Sequence, residues 1–159
     1  MKLVMGLGNP GSDYALTRHN AGFLFVDELQ KRKDTFTDFL IKKSDVFMNE
    51  SGTFVKKLVD KYKLDLKNLY IVHDDLDIVL GEYKIQFGRG PKDHNGLKSI
   101  DDRLATSAYW HVRVGIDSRP DDNRPLGQEF VLQNFTDEEL KILDAVFEKL
   151  CKEINLLLR

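Results

Sequence analysis

Apolar and polar positions along this chain follow two periods, and each period predicts one type of secondary structure. Short apolar or alternating runs, typical of strands, occur at 3–7, 39–41, 69–72, 83–87 and 110–116, with a further short strand predicted at 130–132. Between them, apolar residues spaced by three and four positions predict helices over 21–31, 51–62 and 95–105. The chain therefore alternates strands with helices over most of its length.

The firmest local signal marks a helix at the C-terminal end. Thr136 and Glu139 have the spacing of a capping box, and apolar residues follow at steps of three and four up to Leu157. Asn20 and Ser51 stand where they could cap the first two helices. The alternation predicts a single α/β domain over 1–159, a sandwich with a twisted mixed sheet flanked by helices on both faces. Ligand-binding residues of such sheets collect at the carboxyl ends of strands.

The composition is that of a globular protein and indicates no particular binding partner. Apolar residues make up 42% of the 159 positions and charged residues 31%, as in an ordinary globular protein, and the net charge is −2. A nucleic-acid-binding protein of this charge must gather its basic residues on one face. The single cysteine, Cys151, excludes an internal disulfide. With no predicted signal peptide or membrane span, we expect a cytoplasmic protein without a membrane partner.

Three glycines in the segment 6–11 match the GxGxxG fingerprint of dinucleotide-binding folds. Pro10 weakens this interpretation because it removes a backbone donor from the loop, and no helical pattern follows the third glycine directly. Asp27 and Glu28 have the separation expected of a ribose-binding acid, but they fall inside a predicted helix rather than at a strand end. A simple turn explains the glycines equally well but leaves the neighbouring polar residues unexplained.

Polar side chains with catalytic potential stand at four strand ends or helix starts: Asn9 with His19, Met48 with Asn49, His73 with Asp74, Asp75 and Asp77, and His94 with Asn95. A histidine is the natural base at neutral pH, and an aspartate on its second nitrogen would fix its tautomer. Asparagine amides can stabilise an oxyanion without titrating. This set suits hydrolysis by activated water, although the 73–77 segment also permits a metal site of no standard spacing. From these residues alone, a histidine-based hydrolase and a non-catalytic α/β binding domain both remain open.

A series of motifs, in order, resembles the bacterial-type peptidyl-tRNA hydrolase family. They are 6–11 (GLGNPG), Tyr14, 17–22 (TRHNAG), 47–49 (FMN) with 51–52 (SG), 73–77 (HDDLD) and 94–98 (HNGLK), with a weaker match at 113–116 (RVGI) and an extension at 130–132. Each motif alone is unspecific, but six in the same order are hard to obtain by chance.

The resemblance implies hydrolysis of the ester that joins a peptide to the 3′ end of tRNA, which recycles tRNA from stalled translation. It implies that His19 is the base that activates water and that Asp74 holds His19 in its basic form. It also implies that Asn9 senses the amide of an N-blocked substrate. A non-catalytic RNA-binding relative of the same fold is the alternative.

The resemblance also assigns binding residues around this centre. Asn49 and Asn95 are expected to bind the peptide backbone or to position water. Tyr14, Phe47 and Met48 are expected to line the cleft for the terminal nucleotide and the side chains. No metal and no cofactor are implied, and a monomer is the family expectation.

Basic residues occur at intervals between positions 84 and 113: Lys84, Arg89, Lys92, Lys98, Arg103 and Arg113. Because acidic residues are interleaved with them, the residues alone favour a solvent-exposed surface of mixed charge. The resemblance makes Lys84, Lys92 and Arg113 expected contacts to tRNA phosphates.

Three departures from the family pattern are visible in the sequence. The segment between the first helix and Phe47 is shorter than is usual, which predicts a missing strand or hairpin. The chain ends at Arg159, soon after the last helix, without a basic tail. The loop before His94 carries Pro91 and Asp93 where relatives are rich in glycine, and these residues should stiffen the loop and lower its positive charge.

Overall fold

Five strands form one mixed sheet in the computed structural model, which describes residues 1–33 and 39–159. The strands are β1 (Lys2–Gly6), β2 (Phe39–Lys43), β3 (Leu69–Val79), β4 (Tyr83–Phe87) and β5 (Trp110–Asp117). Their order in the sheet is β2-β1-β3-β5-β4. β4 pairs with β5 in the antiparallel sense, whereas the other pairs are parallel. The mixed sheet predicted from the sequence is therefore present.

Helices cover both faces of this sheet. They are α1 (Ala21–Arg32), α2 (Ser51–Tyr62), α3 (Asn95–Leu104), the short α4 (Gly127–Phe130) and α5 (Asp137–Leu157). One buried core joins the sheet to α1 and α5, and a second joins the opposite face to α2 and α3. None of the helices in the described part of the chain has the length and apolarity to span a membrane.

The inner strands β1 and β3 carry continuous apolar runs, at 3–5 and 69–72, because both of their faces are covered there. In β1, Leu3 and Met5 enter the core beneath α2 and α3, while Val4 enters the core beneath α1 and α5. β3 repeats this alternation, with Ile71 on the first face and Val72 on the second. Parallel strands buried on both sides read as continuous apolar runs, which is the pattern seen in the sequence.

The strand predicted at 130–132 is wrong. The chain there forms α4, and Val131 follows with hydrogen bonds back to the preceding turn. Phe130 is buried while Leu132 is half exposed, as on one side of a helical turn. β3, by contrast, runs well past the predicted end at residue 72, because β5 continues to pair with it to Asp75 and, after an irregularity, again at Val79.

The capping predictions have mixed outcomes. The capping box of Thr136 and Glu139 is confirmed, with both reciprocal hydrogen bonds present. Asn20 does not cap α1, since its side chain binds the backbone of Asn9 instead. Ser51 is the first residue of α2, and its hydroxyl donates to the Met48 carbonyl. The shortening predicted before Phe47 concerns, in part, residues 34–38, which lie outside the described residues.

Candidate active site

Two histidines and one aspartate meet at the carboxyl edge of the sheet. Asp74 lies in β3, His19 lies in a 3-10 turn (Arg18–Asn20) before α1, and His94 is the residue before α3. His19 Nδ1 is 2.9 Å from Asp74 Oδ2, and His94 Nε2 is 2.8 Å from Asp74 Oδ1. All three side chains are largely buried. One carboxylate therefore binds two imidazole rings, one on each oxygen.

The hydrogen bonds fix where the ring protons lie. An ionised carboxylate only accepts, so His19 Nδ1 and His94 Nε2 both donate to Asp74. His94 Nδ1 in turn accepts from the backbone N–H of Leu97 at 3.2 Å, which holds this ring in one tautomer at the start of α3. His19 is left with Nε2 as the nitrogen that can accept a proton. This is the arrangement of a histidine base oriented by an acid.

Electrostatics support this assignment. Burial alone would lower the pKa of His19, but the charge of Asp74 and the hydrogen bond to it outweigh burial and raise that pKa above its ordinary value. Burial would likewise raise the pKa of Asp74, yet His19 and His94 hold it well below the usual carboxyl range. Asp74 is therefore ionised at neutral pH and stabilises the protonated form of His19.

The other two histidines of the chain lie directly behind this centre. His73 Nδ1 donates to the main-chain oxygen of Asp74 at 2.9 Å, and His73 Nε2 is 3.2 Å from His111 Nδ1. Burial, together with the neighbouring histidines, holds the pKa of His73 well below its usual value. Burial lowers the pKa of His111 to about 4. All four histidines of the chain are thus gathered here. The rings of His73 and His111 are uncharged at neutral pH and face the interior, which leaves His19 as the histidine suited to act as base.

Asn9 presents only one half of its amide to a ligand. Its Oδ1 accepts from the Met48 backbone N–H at 2.7 Å, which leaves the NH₂ group as the available donor. The Asn20 side chain binds both the N–H and the carbonyl of Asn9, at 2.8 and 2.9 Å. The strand-to-loop turn thus holds Asn9 rigidly, and its amide can bind a carbonyl oxygen of a substrate.

A cleft of about 430 Å³ opens over the histidine–aspartate centre. Asn95 lines one side of it, and α4 with the residues around it, from Leu126 to Val131, lines the other. A second cavity, of about 460 Å³, continues from Asn95 to Asn49. The structure thus places both predicted peptide-binding asparagines along one continuous surface beside the base.

The three residues predicted to line the nucleotide cleft have different surroundings. Tyr14 and Phe47 pack edge to face with ring centroids 6.1 Å apart, and Phe47 is half exposed. Met48 is buried in the core beneath α2 and α3, where its sulfur lies against Gly96. The prediction that Met48 lines the cleft surface is therefore corrected: its side chain supports the start of α3 from below, and its main chain fixes Asn9.

The predicted phosphate-binding residues surround a cavity of about 650 Å³ next to the cleft. Lys84 and Lys92 line this cavity together with Arg89, and none of the ion pairs formed within the described ranges involves these three side chains. Arg113 is different, since its Nε donates to the buried Asp75 at 2.7 Å and its Nη1 donates to Gln86 at 2.6 Å. The charge of Arg113 is largely compensated inside the protein.

His94 is the site residue whose role the sequence did not assign. In the sequence His94 stands beside Asn95, but nothing local shows that its ring binds the same carboxylate as His19. The two contacts to Asp74 span 55 and 20 residues of chain, respectively. Only the fold brings them together.

His19, Asp74 and His94 also offer one ligand atom each within 4.8 Å of one another, which is close enough for a metal ion. A metal would need both nitrogens facing Asp74 to be unprotonated, and it would replace two short hydrogen bonds. As it stands, each carboxylate oxygen is satisfied by one N–H donor. The donor set fits a hydrogen-bonded base better than a metal centre.

Because the donor set fits a hydrogen-bonded base better than a metal centre, we expect a chelator to leave hydrolytic activity unchanged. The measurement is kcat before and after dialysis against EDTA, with added Zn²⁺ and Mg²⁺ as separate arms. A loss of activity that Zn²⁺ restores would contradict this account of the site.

The raised pKa of His19 leads to an expected pH dependence of activity. We expect the unprotonated ring to be the active form, so kcat/KM should fall as the pH drops through the pKa of His19 and should level off above it. The acidic limb is expected above the value of about 6.5 of a free histidine. A pH–rate profile of kcat/KM measures it, and a limb well below that value would show that another group is titrating.

The mixed sheet and the oriented histidine define a hydrolytic enzyme of the α/β class. The model of the peptidyl-tRNA hydrolase family matches residues 3–159. The chain belongs to the peptidyl-tRNA hydrolase family, and its relatives support the enzymatic interpretation of the sequence rather than the non-catalytic one.

Individual relatives agree with this assignment along the chain. The peptidyl-tRNA hydrolase of Wolbachia pipientis wMel is 39% identical over 176 residues, covering 100% of this chain and 94% of the relative. That of Aliarcobacter butzleri is 39% identical over 171 residues, covering 99% and 92%. The crystal structure of Acinetobacter baumannii peptidyl-tRNA hydrolase superposes with a TM-score of 0.82 at 28% identity, covering 99% of this chain and 88% of that one. This structural match confirms the predicted α/β fold.

Proposed function

We propose that this chain hydrolyses the ester between a peptide and the 3′ end of tRNA, with His19 as general base. The observation that carries the proposal is the 2.9 Å bond from His19 Nδ1 to Asp74, which leaves His19 Nε2 as the proton acceptor beside an open cleft. An ester needs no stronger nucleophile than activated water, provided that a base and oxyanion donors are held in place.

The reaction follows from the positions of the protons. His19 Nε2 takes a proton from water as its oxygen attacks the ester carbonyl, and Asp74 stabilises the imidazolium that forms. The resulting oxyanion is stabilised by amide donors of the cleft wall, to which Asn95 belongs. The intermediate then breaks its bond to the ribose 3′-oxygen, which takes the proton back from His19. Peptide and tRNA leave with the base restored.

The asparagines supply the preference for an N-blocked substrate. The free NH₂ group of Asn9 is suited to a carbonyl oxygen of the peptide, since the Asn9 oxygen is occupied by Met48. Asn49 and Asn95 extend this recognition along the adjoining cavity. Tyr14 and Phe47 offer aromatic surface for the terminal nucleotide. An unblocked aminoacyl group has no acylated amine, so it loses part of this set of contacts.

The tRNA body is bound through the basic cavity beside the cleft. Lys84 and Lys92 carry no ion-pair partner within the described ranges, so they can bind phosphate without first breaking an internal contact. Arg113 contributes less, because Asp75 and Gln86 already occupy two of its donor groups. We further propose that the protein acts as a cytoplasmic monomer without a metal or cofactor.

Replacing both Lys84 and Lys92 by alanine should raise KM for peptidyl-tRNA and leave kcat nearly unchanged. Each lost phosphate contact should also reduce the slope of log KM against log salt by about 1. An N-acetyl-aminoacyl ester of adenosine, which lacks the tRNA body, should be hydrolysed equally by both proteins. The matched control is Lys149→Ala with Lys152→Ala on the exposed side of α5. An equal rise of KM in the control would mean that the lysines act only through net charge.

The function itself is tested with N-acetyl-aminoacyl-tRNA and the same aminoacyl-tRNA left unblocked. The purified protein should release the acetylated amino acid from the first substrate and act on the second no faster than spontaneous hydrolysis. Retention of the RNA on the protein without release would instead support a non-catalytic RNA-binding protein and would overturn the proposal.

A further inference from the structure

A buried ion pair lies one residue away from the proposed base. Arg18 Nη2 donates to Glu139 Oε1 at 2.7 Å, and both side chains are less than 10% exposed. Arg18 lies in the same turn as His19, whereas Glu139 lies in the first turn of α5. The proposed mechanism uses neither group. A charge pair of this kind needs every hydrogen bond it can form to offset its desolvation.

The Arg18 guanidinium binds the cleft wall as well as Glu139. Its Nη1 donates to the carbonyl of Phe130 at 3.2 Å and to the side chain of Gln133 at 3.3 Å, and its central carbon lies 3.8 Å from the centre of the Phe130 ring. Phe130 and Gln133 lie on either side of Val131, which lines the cleft. One side chain thus joins the Arg18–Asn20 turn, the cleft wall and α5.

The main chain of the Arg18–Asn20 turn binds the same wall. The His19 N–H donates to the Val131 carbonyl at 2.8 Å, and the Arg18 N–H donates to the Gln133 carbonyl at 3.0 Å. The backbone position of His19 therefore depends on the position of residues 131–133. Those residues are in turn held by the guanidinium of Arg18.

Glu139 is fixed from three sides. Its Oε1 accepts from Arg18 and also from the Thr136 N–H at 2.9 Å within the capping box, while its Oε2 accepts from the Ser118 hydroxyl. Ser118 follows β5 directly. The carboxylate that receives Arg18 is thus anchored to both α5 and the end of a central strand, and it is not free to follow a moving arginine.

From this geometry we infer that Arg18 and Glu139 are positioning residues, which hold His19 and the opposing cleft wall at a fixed separation. The inference rests on the proposed function of His19. A displacement of about 1 Å in a catalytic group can reduce the rate by a factor of about 10². The pair should thus affect the chemical step and not only the stability of the fold.

The test separates position from stability with two variants. Arg18→Met should lower kcat about 10²-fold with KM within a few-fold, because the substrate contacts lie elsewhere. It should also lower Tm, because the buried Glu139 carboxylate loses its positively charged partner and keeps only the neutral donors Thr136 and Ser118. In the double variant Arg18→Met with Glu139→Gln, the buried charge is gone and glutamine preserves the capping box, so most of the Tm should return while kcat stays low.

The matched control is Val146→Ala, a buried core residue of α5, which should lower Tm and leave kcat unchanged. Recovery of kcat together with Tm in the double variant would overturn the inference, because the pair would then serve stability alone. So would a rise of KM at unchanged kcat in Arg18→Met.

A readout independent of turnover keeps this inference distinct from the proposed function. ¹⁵N NMR of the histidine rings should show the pKa of His19 lowered in the double variant relative to the wild type, because its bond to Asp74 is weakened. Absence of turnover in the wild type would reject the proposed function and leave this measurement standing. An unchanged pKa of His19 in the double variant would reject the positioning role, whatever the wild-type activity.

Discussion

Replacing His19 by alanine is expected to lower kcat for peptidyl-tRNA hydrolysis by a factor of about 10² to 10⁴, the range typical of a lost general base. KM should change little, because His19 contributes to the reaction and not to the hold on tRNA or peptide. Single-turnover release of the N-acetylated amino acid from tRNA measures this directly. Binding of the intact substrate by the variant should persist.

The fold of the His19→Ala variant is not expected to change greatly. The turn at Arg18–Asn20 is held by its main chain and by Asn20 and Arg18, and the Asp74 carboxylate keeps its hydrogen bond to His94 when the imidazole of His19 is removed. Circular dichroism and Tm provide the check. A folded variant that keeps kcat within about tenfold of the wild type would show that His19 is not the base.

Replacing Asp74 by asparagine should have an effect of similar size, because it keeps the shape of the side chain but removes the charge. The amide oxygen can accept from only one of the two rings, and the NH₂ group faces the N–H of the other. The imidazolium also loses its stabilisation. Loss of the corresponding aspartate charge in a histidine-based hydrolase reduces kcat by as much as about 10⁴-fold.

The pH–rate profile of the Asp74→Asn variant should shift in a defined direction. Asp74 raises the pKa of His19, so the acidic limb of the pH–rate profile should move to lower pH in the asparagine variant. The control is Asp101→Asn, which neutralises a carboxylate bonded to the Tyr109 hydroxyl, away from the cleft. It should leave both kcat and the limb in place. An unmoved limb in Asp74→Asn would contradict the pairing of Asp74 with His19.

Local sequence patterns predicted most of the elements because their causes are local. The α5 helix shows this clearly: a capping box at Thr136 and Glu139 begins it, and a long apolar stripe defines its buried side. The strand over Tyr83–Phe87 was predicted with its observed bounds from alternation alone. A capping box and an apolar period are set by neighbouring residues, so in these elements they were readable from the sequence.

The errors have non-local causes. Residues 130–132 are three apolar positions in a row, which a strand and a single helical turn can share equally well. The helical turn found there is contacted by Arg18, which lies over the Phe130 ring and donates to its carbonyl from more than a hundred positions away. Asn20 was expected to cap a helix for the same reason: nothing nearby shows that Asn9 will engage its side chain.

The sequence predicts the types of residue at the site but not all of the contacts between them. Residue types pointed to a histidine, an acid and several amides, but they left Asp74, Asp75 and Asp77 as alternatives. Strand alternation separates Asp74 from Asp75, so that one meets His19 and the other meets Arg113. The family resemblance selected Asp74 in advance. The second ring on Asp74, that of His94, required the tertiary structure.

The central claim is that Asp74 holds His19 with Nδ1 protonated and Nε2 free to accept a proton. ¹⁵N NMR of the histidine rings as a function of pH tests it without any substrate. We expect a protonated Nδ1 and an unprotonated Nε2 for His19 at high pH, with the pKa of the ring above the ordinary value of about 6.5. The opposite tautomer, or a pKa of His19 below that value, would contradict it.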